Sequence, residues 1–88
     1  MSETAKKLEM EELDKVAGGR ISSEEALSAA LRHAKQKKDK IMLKKSKLDR
    51  EHGRMVYEVE FVVDGMEYEY DIDAETGEVL KFEKDYWD

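Results

Sequence analysis

The chain has 88 residues, a formal net charge of −6 and no cysteine. This length gives room for one small domain, whose core cannot enclose a large pocket. The composition excludes disulfides and thiol chemistry, and no apolar run approaches the roughly 18 residues that a membrane-spanning helix needs.

The first segment, residues 1–19, places apolar side chains at helical spacing and ends in two glycines. Leu8, Leu13 and Val16 recur with the period of an amphipathic helix, and charged residues fill the other side. The Gly18–Gly19 pair is predicted to end the helix, because glycine loses more backbone entropy than other residues on ordering. So short a helix is marginal in water, and we expect it to order when a partner groove accepts its apolar stripe.

A second helix is predicted over residues 23–38. Ser22, followed three residues later by Glu25, has the pattern of a capping box, and Ile21 can pack on the first turn. The helix carries one apolar stripe, formed by Ala26, Leu27, Ala30, Leu31 and Ala34.

After this helix the apolar pattern takes the two-residue period of strands. A first strand over residues 41–48 alternates imperfectly, which predicts a β-bulge, and a turn follows over residues 49–53. Asp64–Gly65 is a strong hairpin signal between two cleanly alternating strands. The apolar positions of these two strands are Tyr57, Val59, Phe61 and Val63, then Met66, Tyr68, Tyr70 and Ile72.

The end of the chain has a turn and a last short strand. Residues 74–77 form the turn, and the strand contains Val79, Leu80 and Phe82. Tyr86 and Trp87 are expected to close over one end of the core. The predicted fold is therefore α+β, with one helix packed on an antiparallel meander sheet of three to four strands.

Charge is unevenly distributed along the chain, basic over residues 32–54 and acidic over residues 55–88. We interpret the two stretches as solvated outer faces that pair across the sheet. A nucleic-acid site is not expected, because no aromatic side chains interleave the basic stretch to stack on bases and the acidic stretch repels phosphates.

No catalytic, metal or cofactor site is predicted. Asp71 and the acids after it do not match the spacing of a calcium loop, and Asp73 is expected to hydrogen-bond its own turn. His33 and His52 are interpreted as a partly exposed helix residue and a turn residue, with no second ligand at zinc spacing. The alternating glutamates are expected on outward strand faces, where solvation should keep their pKa values ordinary, and an enzyme is not expected.

The N-terminal segment resembles the double-glycine leader of bacteriocin and related peptide precursors. The positions that match the leader pattern are Leu8, Glu12, Leu13, Val16, Gly18 and Gly19. The resemblance implies cleavage after Gly19 by the papain-like peptidase domain of an ABC transporter, which exports the product. Two alternatives remain: an ordinary N-terminal helix that ends in a Gly-Gly cap, and a relic leader that is no longer cleaved.

The remainder, residues 20–88, resembles a PepSY domain over residues 21–83. The most specific part is the run Asp73-Ala74-Glu75-Thr76-Gly77-Glu78, which follows a tyrosine-rich strand. PepSY domains occur in propeptides of thermolysin-like metallopeptidases and as small secreted or cell-wall proteins. The resemblance implies a module that binds, and often restrains, a peptidase, with no catalytic residues to carry over.

Three functions remain open from the sequence. The leading hypothesis is a small exported PepSY-like module that binds a protein partner such as a secreted or cell-surface peptidase. It would be cytoplasmic before export and secreted or cell-surface after leader removal. The alternatives are a precursor of a bacteriocin-like or modified peptide, and an uncleaved cytoplasmic interaction protein.

Overall fold

The computed structural model describes residues 20–87. Its elements, in chain order, are helix α1 (Ser23–Ala34), a single-turn 3₁₀-helix (Lys38–Lys40) and strands β1 (Met42–Glu51), β2 (Arg54–Val63), β3 (Met66–Asp73) and β4 (Val79–Tyr86). The predicted leader, residues 1–19, lies outside the described residues.

Helix α1 begins with the predicted capping box. The Ser22 hydroxyl accepts the Glu25 N–H at 3.1 Å, and the Glu25 carboxylate accepts the Ser22 N–H at 2.8 Å. Two N–H groups that would otherwise lack intrahelical partners are thereby satisfied.

The predicted helix end at residue 38 is wrong, because α1 ends at Ala34. Lys35 takes the left-handed conformation, with φ 60°. Its N–H donates to the Arg32 carbonyl, and the Gln36 N–H donates to the Leu31 carbonyl. These bonds satisfy carbonyls at the helix end in the manner of a Schellman cap.

The four strands form a single antiparallel meander in the order β1-β2-β3-β4. The predicted bulge in β1 is confirmed, since the register with β2 shifts between Leu43 and Lys45. The predicted hairpin turn is confirmed as well, with positive φ at Asp64 and Gly65. The expected turn over residues 49–53 is too long, because β1 continues to Glu51 and only His52 and Gly53 form the turn.

The core lies between α1 and one face of the sheet. The alternating apolar residues of β2 and β3 are buried there, and Val59, Phe61 and Ile72 are fully buried. Ala26 and Ala30 are equally buried, so α1 approaches the sheet closely. These contacts confirm the predicted α+β fold of one helix on a meander sheet.

Strand β4 lies mostly beyond the cover of α1, which packs mainly on β1, β2 and β3 and reaches β4 through the contact of His33 with Phe82. Residues 80–86 are exposed, and the sheet therefore ends in a solvated edge. The expectation that Tyr86 closes over the core is wrong, since 81% of its surface is exposed. Trp87 instead donates its N–H to the Gly65 carbonyl at 2.9 Å and lies under the Lys44 ammonium.

Two hydrogen bonds hold the backbone of Ile21, just before α1. The Ile21 N–H donates a 2.7 Å hydrogen bond to the Ala74 carbonyl, and the Tyr57 hydroxyl donates to the Ile21 carbonyl at 2.8 Å. Residue 21 is thus held against the loop between β3 and β4. Within residues 20–87, no helix has the length and apolar character needed to cross a membrane.

Candidate functional site

The face of the sheet that points away from α1, here called the open face, carries most of the charged side chains of the strands. Cross-strand partners in an antiparallel sheet point to the same side. The register therefore aligns Lys45, Glu60, Glu69 and Glu83 in one row across β1 to β4. The predicted outward position of the alternating glutamates is confirmed.

Like charges meet in the middle of this row. Glu69 lies directly opposite Glu60 on one side and Glu83 on the other. The expectation of an ordinary pKa is wrong for Glu69: partial burial raises its pKa, and the negative charges of Glu60, Glu67 and Glu83 raise it further. Directly opposed like charges destabilise a strand pair, so this row costs stability in the isolated protein.

Lysines neutralise the β1 side of the open face. The Lys45 Nζ atom lies 2.8 Å from the Glu58 carboxylate and 3.8 Å from that of Glu60. The hydrogen bond to Glu58 raises the pKa of Lys45. Lys44 Nζ likewise lies 2.9 Å from Glu67. The interpretation that the basic and acidic stretches pair across the sheet is confirmed by these contacts.

The β3–β4 side of the open face is less well neutralised. Lys81 is aligned with Asp71, and its Nζ atom lies 3.9 Å from Glu83. Burial raises the pKa of Asp71, and Lys81 acts in the opposite direction. Among residues 20–87, no cation lies within ion-pair distance of Glu69. The open face is therefore least well neutralised at Glu69.

Two groups of three carboxylates lie close enough together to share a metal ion. One group is Asp49, Glu51 and Glu58, and the other is Glu60, Glu67 and Glu69. Glu58 and Glu67 already have lysine partners, which compete with a cation for the same oxygens. We assign no metal to either group.

The acidic turn after β3 has a structural role. One Asp73 carboxylate oxygen accepts the N–H groups of Glu75 and Thr76, at 2.7 Å and 3.2 Å. The other lies 3.6 Å from the Arg54 guanidinium. The prediction that Asp73 bonds its own turn is confirmed.

The two histidines are at the places expected from the sequence. His52 occupies the β1–β2 turn, beside a cleft of about 450 Å³ on the open face. His33 is an exposed residue of α1, and its Nδ1 atom lies 2.9 Å from the buried Tyr70 hydroxyl. The two imidazoles belong to different elements and share no ligand geometry.

The free edge of β4 is a second feature of the site, and the sequence did not identify which residues form it. The Trp87 N–H is directed at Gly65, and backbone direction alternates along an antiparallel strand. The N–H and C=O groups of Phe82, Lys84 and Tyr86 therefore point away from β3. The alternation of lysine and glutamate around Phe82 is typical of an edge strand and was the signal available.

The predicted leader positions are not tested by this geometry. They are Leu8, Glu12, Leu13, Val16, Gly18 and Gly19, and all of them lie outside the described residues.

Comparison with known proteins gives one family and one solved structure. The PepSY family model, described as the peptidase propeptide and YPEB domain, matches residues 20–83. No curated protein matches the chain. The crystal structure of a protein described as a candidate lipoprotein from Clostridium difficile 630 is similar, with a TM-score of 0.63 and 26% identity. The match covers 91% of this chain and 54% of that one, so the chain spans about half the length of its structural relative.

Proposed function

Because the chain belongs to the PepSY family, that of the peptidase propeptide and YPEB domain, we propose that it is a small exported module that binds a peptidase without itself being an enzyme. The observation that carries the proposal is the open face, which no described element covers. A two-layer domain leaves such a face available to a partner. The family description supplies the class of that partner.

The charge pattern of the open face favours a partner with a basic surface. Glu69 is held between Glu60 and Glu83, and this repulsion is relieved when a lysine or arginine of the partner approaches. Complementary charge of this kind raises the association rate and selects among partners. Binding of the peptidase is therefore expected to weaken as salt increases.

The proposed location is outside the cytoplasm. The solved relative is described as a candidate lipoprotein, a description consistent with a role at or beyond the membrane surface. Residues 1–19 are proposed to direct export, with Leu8, Leu13 and Val16 recognised by the peptidase domain of an ABC transporter. Cleavage after Gly19 then releases residues 20–88.

Binding is tested with the full chain and a purified thermolysin-like metallopeptidase secreted by the same host. We expect a complex that the double variant Glu60→Lys/Glu69→Lys weakens about tenfold or more, which corresponds to about 1.4 kcal/mol. The matched control is Glu24→Lys/Glu75→Lys, which changes net charge equally at exposed positions away from the open face. Absence of any complex, or equal weakening in both variants, contradicts the proposal.

Export is tested by intact-mass spectrometry of the protein recovered from its host. We expect the extracellular form to start at Arg20, and the variant Gly18→Val/Gly19→Val to remain intact inside the cell. Glu9→Gln, on the polar side of the leader, is the control and should be processed normally. An intact wild-type chain found only in the cytoplasm would favour the uncleaved interaction protein instead.

A further inference from the structure

We propose that the free edge of β4 pairs with β4 of a second copy of this chain, antiparallel and centred on Phe82, so that two sheets join into one. The first support is the backbone. Phe82 and Lys84 direct their N–H and C=O groups away from β3, as the Trp87–Gly65 hydrogen bond fixes the alternation. Among residues 20–87, no strand pairs with this edge. An unpaired edge of this kind is a template for another strand.

The order of charges along β4 selects the register. With Phe82 opposite Phe82 of the second copy, Lys81 lies opposite Glu83 of that copy. The two-fold symmetry repeats this pair, since such an interface uses the same patch on both chains. Two opposite-charge pairs then lie on the open face, one on each side of the central Phe82 pair, whose rings are on the α1 side of the sheet. Directly opposed charges of opposite sign stabilise a strand pair.

Neighbouring registers are disfavoured by the same residues. Centring the pair on Lys81 or Lys84 sets two ammonium groups against each other, and centring it on Glu83 or Asp85 sets two carboxylates against each other. Like charges directly opposite destabilise the pair. Phe82 is the one residue from 81 to 85 that can face its own copy without repulsion.

The apolar surface at the edge supports the same arrangement. Phe82 is 41% exposed although its ring stacks on Tyr70, with centroids 4.9 Å apart. The His33 ring also lies near it, with centroids 5.0 Å apart. Because α1 packs mainly on the other three strands, a second β4 has room beside the first, and pairing would bury both Phe82 rings. Removal of this apolar surface from water is favourable.

The opposite edge of the sheet does not offer the same complementarity. Strand β1 carries Lys44, Lys45 and Lys47 and has a bulge between Leu43 and Lys45. A copy of β1 placed against it would bring lysines together along an irregular edge. Bulges and lysines of this kind protect natural sheet edges from pairing, so β4 is the edge that we assign to self-association.

The experiment measures oligomeric state with the full chain, by sedimentation and by light scattering across a concentration series. We expect a reversible dimer. Lys81→Glu turns both opposite-charge pairs into repulsive ones and should weaken dimerisation about tenfold or more. Glu83→Lys should do the same. The double variant Lys81→Glu/Glu83→Lys exchanges the charges and should restore the dimer, and Lys37→Glu is the exposed control. Circular dichroism checks that each variant is folded.

Hydrogen exchange identifies the surface independently. The N–H groups of Phe82 and Lys84 should gain protection as the protein concentration rises, and the N–H groups along the outer edge of β1 should not. A chain that stays monomeric, a dimer that Lys81→Glu leaves unchanged, or a double variant without rescue overturns the proposal. Protection at Phe82 that does not depend on concentration also overturns it, and would indicate pairing with residues 1–19 of the same chain.

Discussion

The Nδ1 atom of His33 lies 2.9 Å from the hydroxyl oxygen of Tyr70, and the two rings meet edge to face with centroids 5.3 Å apart. His33 is near the exposed end of α1, whereas Tyr70 lies in the middle of β3 and is 2% exposed. This contact joins the last turn of the helix to the centre of the sheet. It also gives the hydroxyl of a buried tyrosine a partner, which such groups usually require.

The His33–Tyr70 contact should contribute measurably to stability. We expect His33→Ala to lower the free energy of unfolding by about 1–2 kcal/mol, because the Tyr70 hydroxyl loses its partner. In the His33→Ala background, Tyr70→Phe removes the unsatisfied hydroxyl and should cost less than in the wild type. Urea denaturation of the four proteins in this double-mutant cycle gives the coupling energy. A coupling energy of zero would show that the contact contributes nothing.

Tyr70 should also make stability fall at alkaline pH. Burial raises the pKa of Tyr70 to about 12, whereas the pKa of tyrosine in an unfolded chain is about 10. The folded state therefore binds more protons than the unfolded state between these values, and stability is lost as pH rises through this window. Thermal unfolding of the wild type and Tyr70→Phe from neutral to alkaline pH tests this. The two curves should diverge above pH 10, with the variant less sensitive.

Glu69→Gln should stabilise the protein at neutral pH. The pKa of Glu69 is raised in the folded state, so ionisation of this carboxyl opposes folding above that pKa and the penalty disappears as pH falls. We expect a gain of roughly 0.5 kcal/mol at low salt. The gain should shrink both in high salt and at acid pH. Glu75→Gln, in an exposed turn, serves as the control and should be nearly neutral.

Two substitutions at Asp73 separate its hydrogen-bonding role in the turn from the role of its charge. Asp73→Ala removes the acceptor for the N–H groups of Glu75 and Thr76 and should lower the free energy of unfolding by about 1–3 kcal/mol. Asp73→Asn retains an oxygen for both N–H groups and loses only the attraction to Arg54, a partner whose side chain is largely exposed. It should therefore cost less than 1 kcal/mol. Equal losses in the two variants would show that charge, rather than the turn, is what Asp73 supplies.

The central hairpin could be predicted because its local signals agree with one another. Apolar and acidic residues alternate over residues 57–61 of β2 and along all of β3, and Asp64–Gly65 supplies the positive φ values that a tight turn requires. The capping box at Ser22 is equally local, since both of its hydrogen bonds join residues three positions apart. Agreement among local signals of this kind is what allows these elements to be predicted from the sequence.

The misread boundaries depend on contacts or conformations without a local signal. Helix α1 ends because Lys35, rather than a glycine, takes the left-handed conformation, and lysine does not mark such a position. Strand β4 continues to Tyr86 because it pairs along β3, although half of its residues are charged. The sequence showed the glutamates near Glu69 only as an alternating pattern. That Glu60 and Glu83 lie directly opposite Glu69 could not be predicted, because it depends on the register of three strands.

The hydrogen bond from the Ile21 N–H to the Ala74 carbonyl implies that cleavage precedes folding in the proposed maturation. Ile21 is the second residue beyond the bond between Gly19 and Arg20. A peptidase that holds its substrate as an extended strand on both sides of the cut bond competes with the folded domain for this stretch of backbone. The transporter should therefore process the nascent or unfolded precursor much faster than the folded one, and a precursor that folds early would escape secretion.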